Sequence, residues 1–119
     1  MTLHFDPAKA QGVTREQYFA ALQAEKASFG GTYAPVYRNP LLNLYDRTSP
    51  IPFRDASRTQ NYATLRLPET ERAVAETGVL LSHTHLLGSR EYIDQLLAAV
   101  AKVNARLDAV RTHAATKKA

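Results

Sequence analysis

The chain has 119 residues, of which 45% are hydrophobic and 22% charged, and its formal net charge is +4. That balance fits one soluble globular domain and excludes a disordered tail. No apolar run approaches the roughly 18 residues of a membrane span, and Met1 to Asp6 lacks the features of a signal peptide, so the expected address is cytoplasmic. The absence of cysteine removes disulfides, thiolate catalysis and cysteine-based metal sites.

The positive charge is unevenly placed. Between Pro35 and Pro68, Arg38, Arg47, Arg54, Arg58 and Arg66 stand against Asp46 and Asp55, and beyond Ala109 come Arg111, Lys117 and Lys118. The rest of the chain is therefore slightly acidic, unlike the surface of a dedicated nucleic-acid binder. The arginines of the loop alternate with Tyr45, Phe53 and Tyr62, a basic-aromatic mix that single-stranded nucleic acid can use. With no recognition motif beside it, the mix reads first as a solvated loop anchored on a neighbouring surface, and no specific nucleic acid is expected.

Leu3-His4-Phe5 alternates and meets Asp6-Pro7, the pattern of a short strand ending at a turn. Thr14-Arg15-Glu16-Gln17 matches a capping box and predicts a helix over Thr14 to Lys26. Ser28 to Tyr33 reads as a strand broken or bulged at Gly30-Gly31. Ala34 to Leu67 contains Pro35, Pro40, Pro50 and Pro52 and no sustained periodicity, the mark of a long functional or packing loop. Pro68, with acidic Glu69 and Glu71, suits a first helical turn, so a short helix is expected over Glu69 to Thr77, stopped at Gly78. Val79 to Ser82 then reads as a buried strand and His83 to Gly88 as its exit loop. Ser89 caps a final helix reaching about Arg111, with Tyr92, Ile93, Leu96, Leu97, Val100, Val103, Leu107 and Val110 as its apolar stripe.

These elements predict an α+β fold: a small antiparallel or mixed sheet of about three strands against about three helices, with a long proline-rich loop. The expected organisation is one domain over residues 1–111 and a basic, disordered tail over 112–119. The expected core is Phe19, Leu22, Leu80, Leu96 and Val100. Three short strands make a minimal sheet with exposed edges, and the edge beside Leu3 and Phe5 joins the stretch around Pro40, Leu41, Leu42, Leu44 and Tyr45 as surface expected to associate.

Several segments, in order, carry a resemblance: Phe5-Asp6-Pro7, Gly12-Val13-Thr14-Arg15-Glu16-Gln17-Tyr18 with Ala21-Leu22-Gln23-Ala24-Glu25, Tyr33-Ala34-Pro35-Val36-Tyr37, Leu67-Pro68-Glu69-Thr70-Glu71-Arg72-Ala73, and Leu80-Leu81-Ser82-His83 through Leu86-Leu87-Gly88. Together they resemble the C-terminal small domain of the DegT/DnrJ/EryC1/StrS aminotransferases, pyridoxal-phosphate enzymes that aminate keto sugars and keto cyclitols. The branch most similar acts on keto-inositols in antibiotic assembly. Where that family usually carries glycine after the first helix, this chain has Lys26. The family's large domain, which holds the Schiff-base lysine and the phosphate cup, has no counterpart in these residues.

The resemblance implies a truncated or split small domain, inactive by itself, that contributes substrate-side groups to a site either completed by a separate large-domain chain or lost altogether. It implies pyridoxal phosphate for the full-length family and none for this chain alone. Tyr33, Tyr37 and Arg38 would line the substrate side, where a tyrosine offers an apolar wall with one hydrogen bond for a hydroxylated ring; the even alternative is that both tyrosines are packing residues of an ordinary loop. His83 and His85 lie near the family's site and would add hydrogen bonds. As a metal pair they lack a third ligand, so no metal is expected. Lys9, Lys26, Lys102, Lys117 and Lys118 all fall in turns, on polar helix faces or in the tail, where nothing would desolvate an amine. The competing function is a non-catalytic protein-interaction module derived from the same domain, with self-association as a further expectation. A small nucleic-acid binder stands third.

Overall fold

The structure, a computed structural model, describes residues 1–42, 62 and 64–116. Expectations resting on Leu44, Tyr45, Arg47, Phe53, Arg54, Arg58, Lys117 and Lys118 lie outside these residues. The chain divides into two compact units, one built from Met1–Thr32 with the chain from Glu76 on, the other from Tyr33–Ala75.

The first unit holds strand β1 (Thr2–His4), helix α1 (Arg15–Ala24), strand β2 (Gly78–Leu80) and helices α3 (Arg90–Asn104) and α4 (Leu107–Thr116). β1 and β2 pair antiparallel, with Thr2 opposite Leu80, Leu3 opposite Val79 and His4 opposite Gly78. The expected third strand is reduced to one residue. Gly30 exchanges hydrogen bonds with Leu80 (3.0 and 2.7 Å) on the far edge of β2. The glycine pair there offers no side chains to hold a longer strand in place.

The capping box at Thr14 forms as the sequence indicates. The Gln17 N–H donates to Thr14 Oγ1 (3.3 Å), and the Thr14 N–H donates to Gln17 Oε1 (2.9 Å). At the other end the Lys26 N–H donates to the Gln23 carbonyl (3.0 Å) and the Ala27 N–H to the Leu22 carbonyl (2.9 Å). This is a Schellman turn. Lys26 therefore occupies the left-handed position, φ +66°. Leu22 and Ala27, packed in one buried cluster, supply the apolar contact that accompanies such a turn.

Two clusters make the core. Phe5, Ala10, Val13, Val79 and Leu107 form one; Leu22, Ala27, Leu81, Leu96 and Val103 form the other. Of the expected core, Leu22 and Leu96 are buried and Phe19 and Val100 are half-buried. Leu80 is only half-buried, because strand alternation turns Val79 and Leu81 inward instead.

The final helix differs from expectation. It breaks between α3 and α4, where the Ala105 N–H donates to Ala101 and the Arg106 N–H to Val103 (both 3.0 Å). The apolar spacing of Val103, Leu107 and Val110 is compatible with one helix or two, so periodicity could not reveal the break. α4 then runs to Thr116, into the stretch expected to be a disordered tail. The Arg111 guanidinium holds it to the Gln11 carbonyl (2.9 Å), and the Thr112 and Thr116 hydroxyls donate back to helix carbonyls.

In the second unit, Val36–Arg38 and Pro40–Leu42 are 3-10 turns, and helix α2 (Pro68–Arg72) begins with Pro68 in its first turn. The expected helix to Thr77 continues as a π-helical turn over Ala73–Thr77.

Candidate functional site

The second unit gathers two of the expected substrate-side residues around one carboxylate that the sequence did not single out. The turn at Val36–Arg38 is bracketed by Pro35 and closed by the Arg38 N–H donating to the Pro35 carbonyl (2.9 Å). It presents Tyr37 and Arg38 together to α2. There the Tyr37 hydroxyl donates to Glu71 Oε1 (2.5 Å), and Arg38 Nη2 donates to the same oxygen (2.7 Å). The Arg38 guanidinium also lies 5.2 Å from the centre of the Tyr37 ring, within cation–π range.

The Tyr37 hydroxyl first, and the Arg38 guanidinium second, hold the Glu71 carboxyl below its ordinary value. Reciprocally, the bond to Glu71 raises Arg38. Tyr37 is buried, so its hydroxyl is committed within the unit. Arg38 remains about 40% exposed in its side chain and can meet an external acceptor while paired. Tyr33 behaves differently. It is 80% exposed, beside Val36 at 74%, and presents a free aromatic face. No spacing rule links Tyr37 to a residue thirty-four positions away, and the sequence marks Glu71 only as an acidic residue suited to a first helical turn.

In the first unit, His83–Leu87 is a 3-10 turn capped by Ser82, whose Oγ accepts from the Thr84 N–H. His83 is exposed. His85 Nδ1 shares a hydrogen bond with the Tyr92 hydroxyl (2.5 Å), and the two rings stack 9° from parallel with centroids 5.9 Å apart. Tyr92, assigned to the apolar stripe by its spacing, thus orients His85. Among the described residues no group of three His, Cys, Asp or Glu side chains could hold a metal ion.

The described lysines do not fit a pyridoxal-phosphate centre. Lys9 is 86% exposed in its side chain and pairs with Asp6 (3.5 Å), and Lys102 pairs with Glu25 (2.6 Å). Lys26 is exposed at its helix end. None stands in a dry cavity beside an anion cradle, as an activated Schiff-base amine requires. No described helix is long and apolar enough to cross a membrane.

Two curated relatives match the chain. One, from Streptoalloteichus tenebrarius, is 34% identical over 109 residues, which is 90% of this chain and 26% of the relative. The other, from Streptomyces kanamyceticus, is 30% identical over 105 residues, 87% of this chain and 25% of the relative. Both are provisionally named L-glutamine:3-amino-2,3-dideoxy-scyllo-inosose aminotransferase. The chain thus matches a small part of a cyclitol aminotransferase and spans about a quarter of the length of the curated relatives it matches. No protein-family model matches the chain, and no solved structure does.

Proposed function

We propose that this chain is the small, substrate-side portion of a pyridoxal-phosphate aminotransferase of the DegT/DnrJ/EryC1/StrS type acting on a keto-cyclitol, and that it transfers no amino group by itself. One observation carries this reading: the 34% identity extends over 90% of the chain yet only 26% of the relative. Nearly the whole chain is thus comparable with about a quarter of such an enzyme.

The cofactor would supply the electron sink that transamination needs, and the described lysines give it no attachment here, so its seat belongs to the portion that this chain does not span. What this chain would contribute is positioning. Tyr33 offers an exposed ring and hydroxyl to a hydroxylated substrate, a surface with an apolar face and one polar tip. Arg38, held by Glu71 on one side, keeps guanidinium donors free for a substrate oxygen, and Glu71 fixes its direction. His85, oriented by Tyr92, is a further candidate donor or acceptor.

Titrating the purified chain with pyridoxal phosphate tests the reading. The absorbance should show no saturable, stoichiometric band from the chain alone. A band that saturates at one equivalent, and that disappears on changing one specific lysine, would overturn it. The chain should bind its cofactor-bearing counterpart, whether that is a separate polypeptide or the remainder of its own.

A further inference from the structure

We propose that the outer edge of β1, with the apolar groove beside it, receives an extended segment from the part of the longer enzyme that this chain does not span. The proposal rests on the reading above that the chain is one portion of such an enzyme.

The register decides which backbone groups are left over. The Met1 ammonium donates to the Leu81 carbonyl (2.9 Å), the Leu81 N–H to Met1 (3.0 Å) and the Phe5 N–H to Thr77 (2.7 Å). Antiparallel pairing alternates, so Met1, Leu3 and Phe5 direct their polar backbone groups at β2, while Thr2 and His4 direct theirs the other way. On the opposite side of β2 the Leu80 groups are met by Gly30. Among the described residues, nothing meets the backbone of Thr2 or His4. An open edge of this kind is a template for another strand.

Beside this edge lies an open groove of about 450 Å³, reached by Leu3, His4 and Phe5 and walled by Leu96, Leu97 and Val100 of α3. Neighbouring strand residues point to opposite faces. Leu3 of β1 and Phe5 just after it, with Val79 of β2 and Leu81 just after it, line the groove from the inner face of the sheet, so inward side chains of a strand added at the β1 edge would face it. Leu97 is 60% exposed on a helix that buries Leu96, leaving an apolar wall open to solvent. A strand laid along β1 would satisfy the Thr2 and His4 groups and place alternate side chains against Leu97 and Val100. Thr2-Leu3-His4-Phe5 carries no lysine or proline to block pairing, and only the shortness of β1 limits what this edge can hold.

The occupant follows from size. β1 is three residues long, so two copies paired edge to edge would bury far less than the roughly 800 Å² per partner of a stable complex. A segment of the same enzyme arrives at an effective concentration of about millimolar, for which a short edge is enough. The relatives are about four times the matched length and provide such a segment; alternating apolar residues in an extended stretch would fit it.

The test compares hydrogen exchange at the His4 amide in two settings: the isolated chain, and the Streptoalloteichus tenebrarius protein with its matched segment replaced by this chain. We expect His4 to exchange freely in the isolated chain and at least about tenfold more slowly in the chimera, with Leu97→Asp in the chimera restoring exchange at the His4 amide. Equal exchange in both settings overturns the proposal. So does protection in the isolated chain, whether independent of concentration, when the chain covers its own edge, or rising with it, when a second copy is the occupant. Should the chimera not fold, the two portions are mixed as separate chains, and the lack of a complex then counts against the proposal. Cofactor absorbance is read in parallel: a chimera that binds pyridoxal phosphate without protecting His4 sinks only the edge assignment, and one that protects His4 but never transaminates sinks only the function.

Discussion

Lys26 is the residue whose replacement should stabilise the protein. It holds φ +66° at the end of α1, a conformation that costs an L-residue about 1–2 kcal/mol through the clash of Cβ with the following carbonyl. Glycine avoids that clash but loses about 0.5–1 kcal/mol in unfolded-chain entropy. The side chain is exposed, so no packing is lost, and the two hydrogen bonds of the turn come from the backbone. Lys26→Gly should therefore gain about 0.5–1 kcal/mol over Lys26→Ala, a comparison in which the loss of the lysine charge cancels. In urea titrations followed by circular dichroism, at a slope of about 2 kcal/mol/M, the midpoints should differ by about 0.25–0.5 M. Equal midpoints for the two variants, or a lower one for glycine, would refute the left-handed assignment of Lys26.

Thr14→Ala removes one acceptor of the capping box and should lower stability by about 1 kcal/mol in the same titration, more than Thr2→Ala on the exposed edge. Gly88→Ala would place a methyl group 2.6 Å from Tyr92 Cδ1 and 3.1 Å from Cγ, close to the root of the side chain, so Tyr92 must turn; a loss of about 1–3 kcal/mol is expected, with the ring resonances of His85 shifting in NMR spectra. Because Glu71 titrates below its ordinary value in the folded chain, the stability it contributes is fully present above the usual glutamate range and is lost as pH falls through the depressed value. Following the Tyr37 ring by NMR, this acidic step should be present in the parent protein and absent in Glu71→Gln.

The parts of the fold legible in the sequence are those encoded by neighbours along the chain. Thr14 and Gln17 cap α1 within one turn, Ser89 caps α3 by accepting from the Tyr92 N–H (3.3 Å), and Pro68 marks the start of α2. What escaped is set by partners distant in sequence. Glu71 gains its meaning from Tyr37 and Arg38, Tyr92 from His85 seven residues before it, and Arg15 from a carbonyl across the unit. The width of the sheet escaped for a different reason. A β-like stretch at Ser28 to Tyr33 identifies backbone that could pair, but whether it pairs over one residue or five depends on side chains, and Gly30-Gly31 supplies none.

Arg15 shows how so small a sheet holds together. Two strands of three residues are marginal as an isolated pair, and each core cluster is limited to a few buried side chains. The Arg15 guanidinium, with its side chain only 10% exposed, donates from Nη1 to the Gly78 carbonyl at 3.0 Å and lies 5.6 Å from the centre of the Phe19 ring. It thus fastens the start of β2 to α1 by a charge-assisted bond, while Tyr18, Phe29 and Val110 pack on both core clusters and join them. β2 is consequently supported on every side: by β1, by Gly30, by the arginine and by the core. β1 is paired with β2 and packs Leu3 on the core, but the backbone of Thr2 and His4 has no partner among the described residues. The unit is held by its helices around β2, and β1, with one edge open, is the element that a further strand would support most.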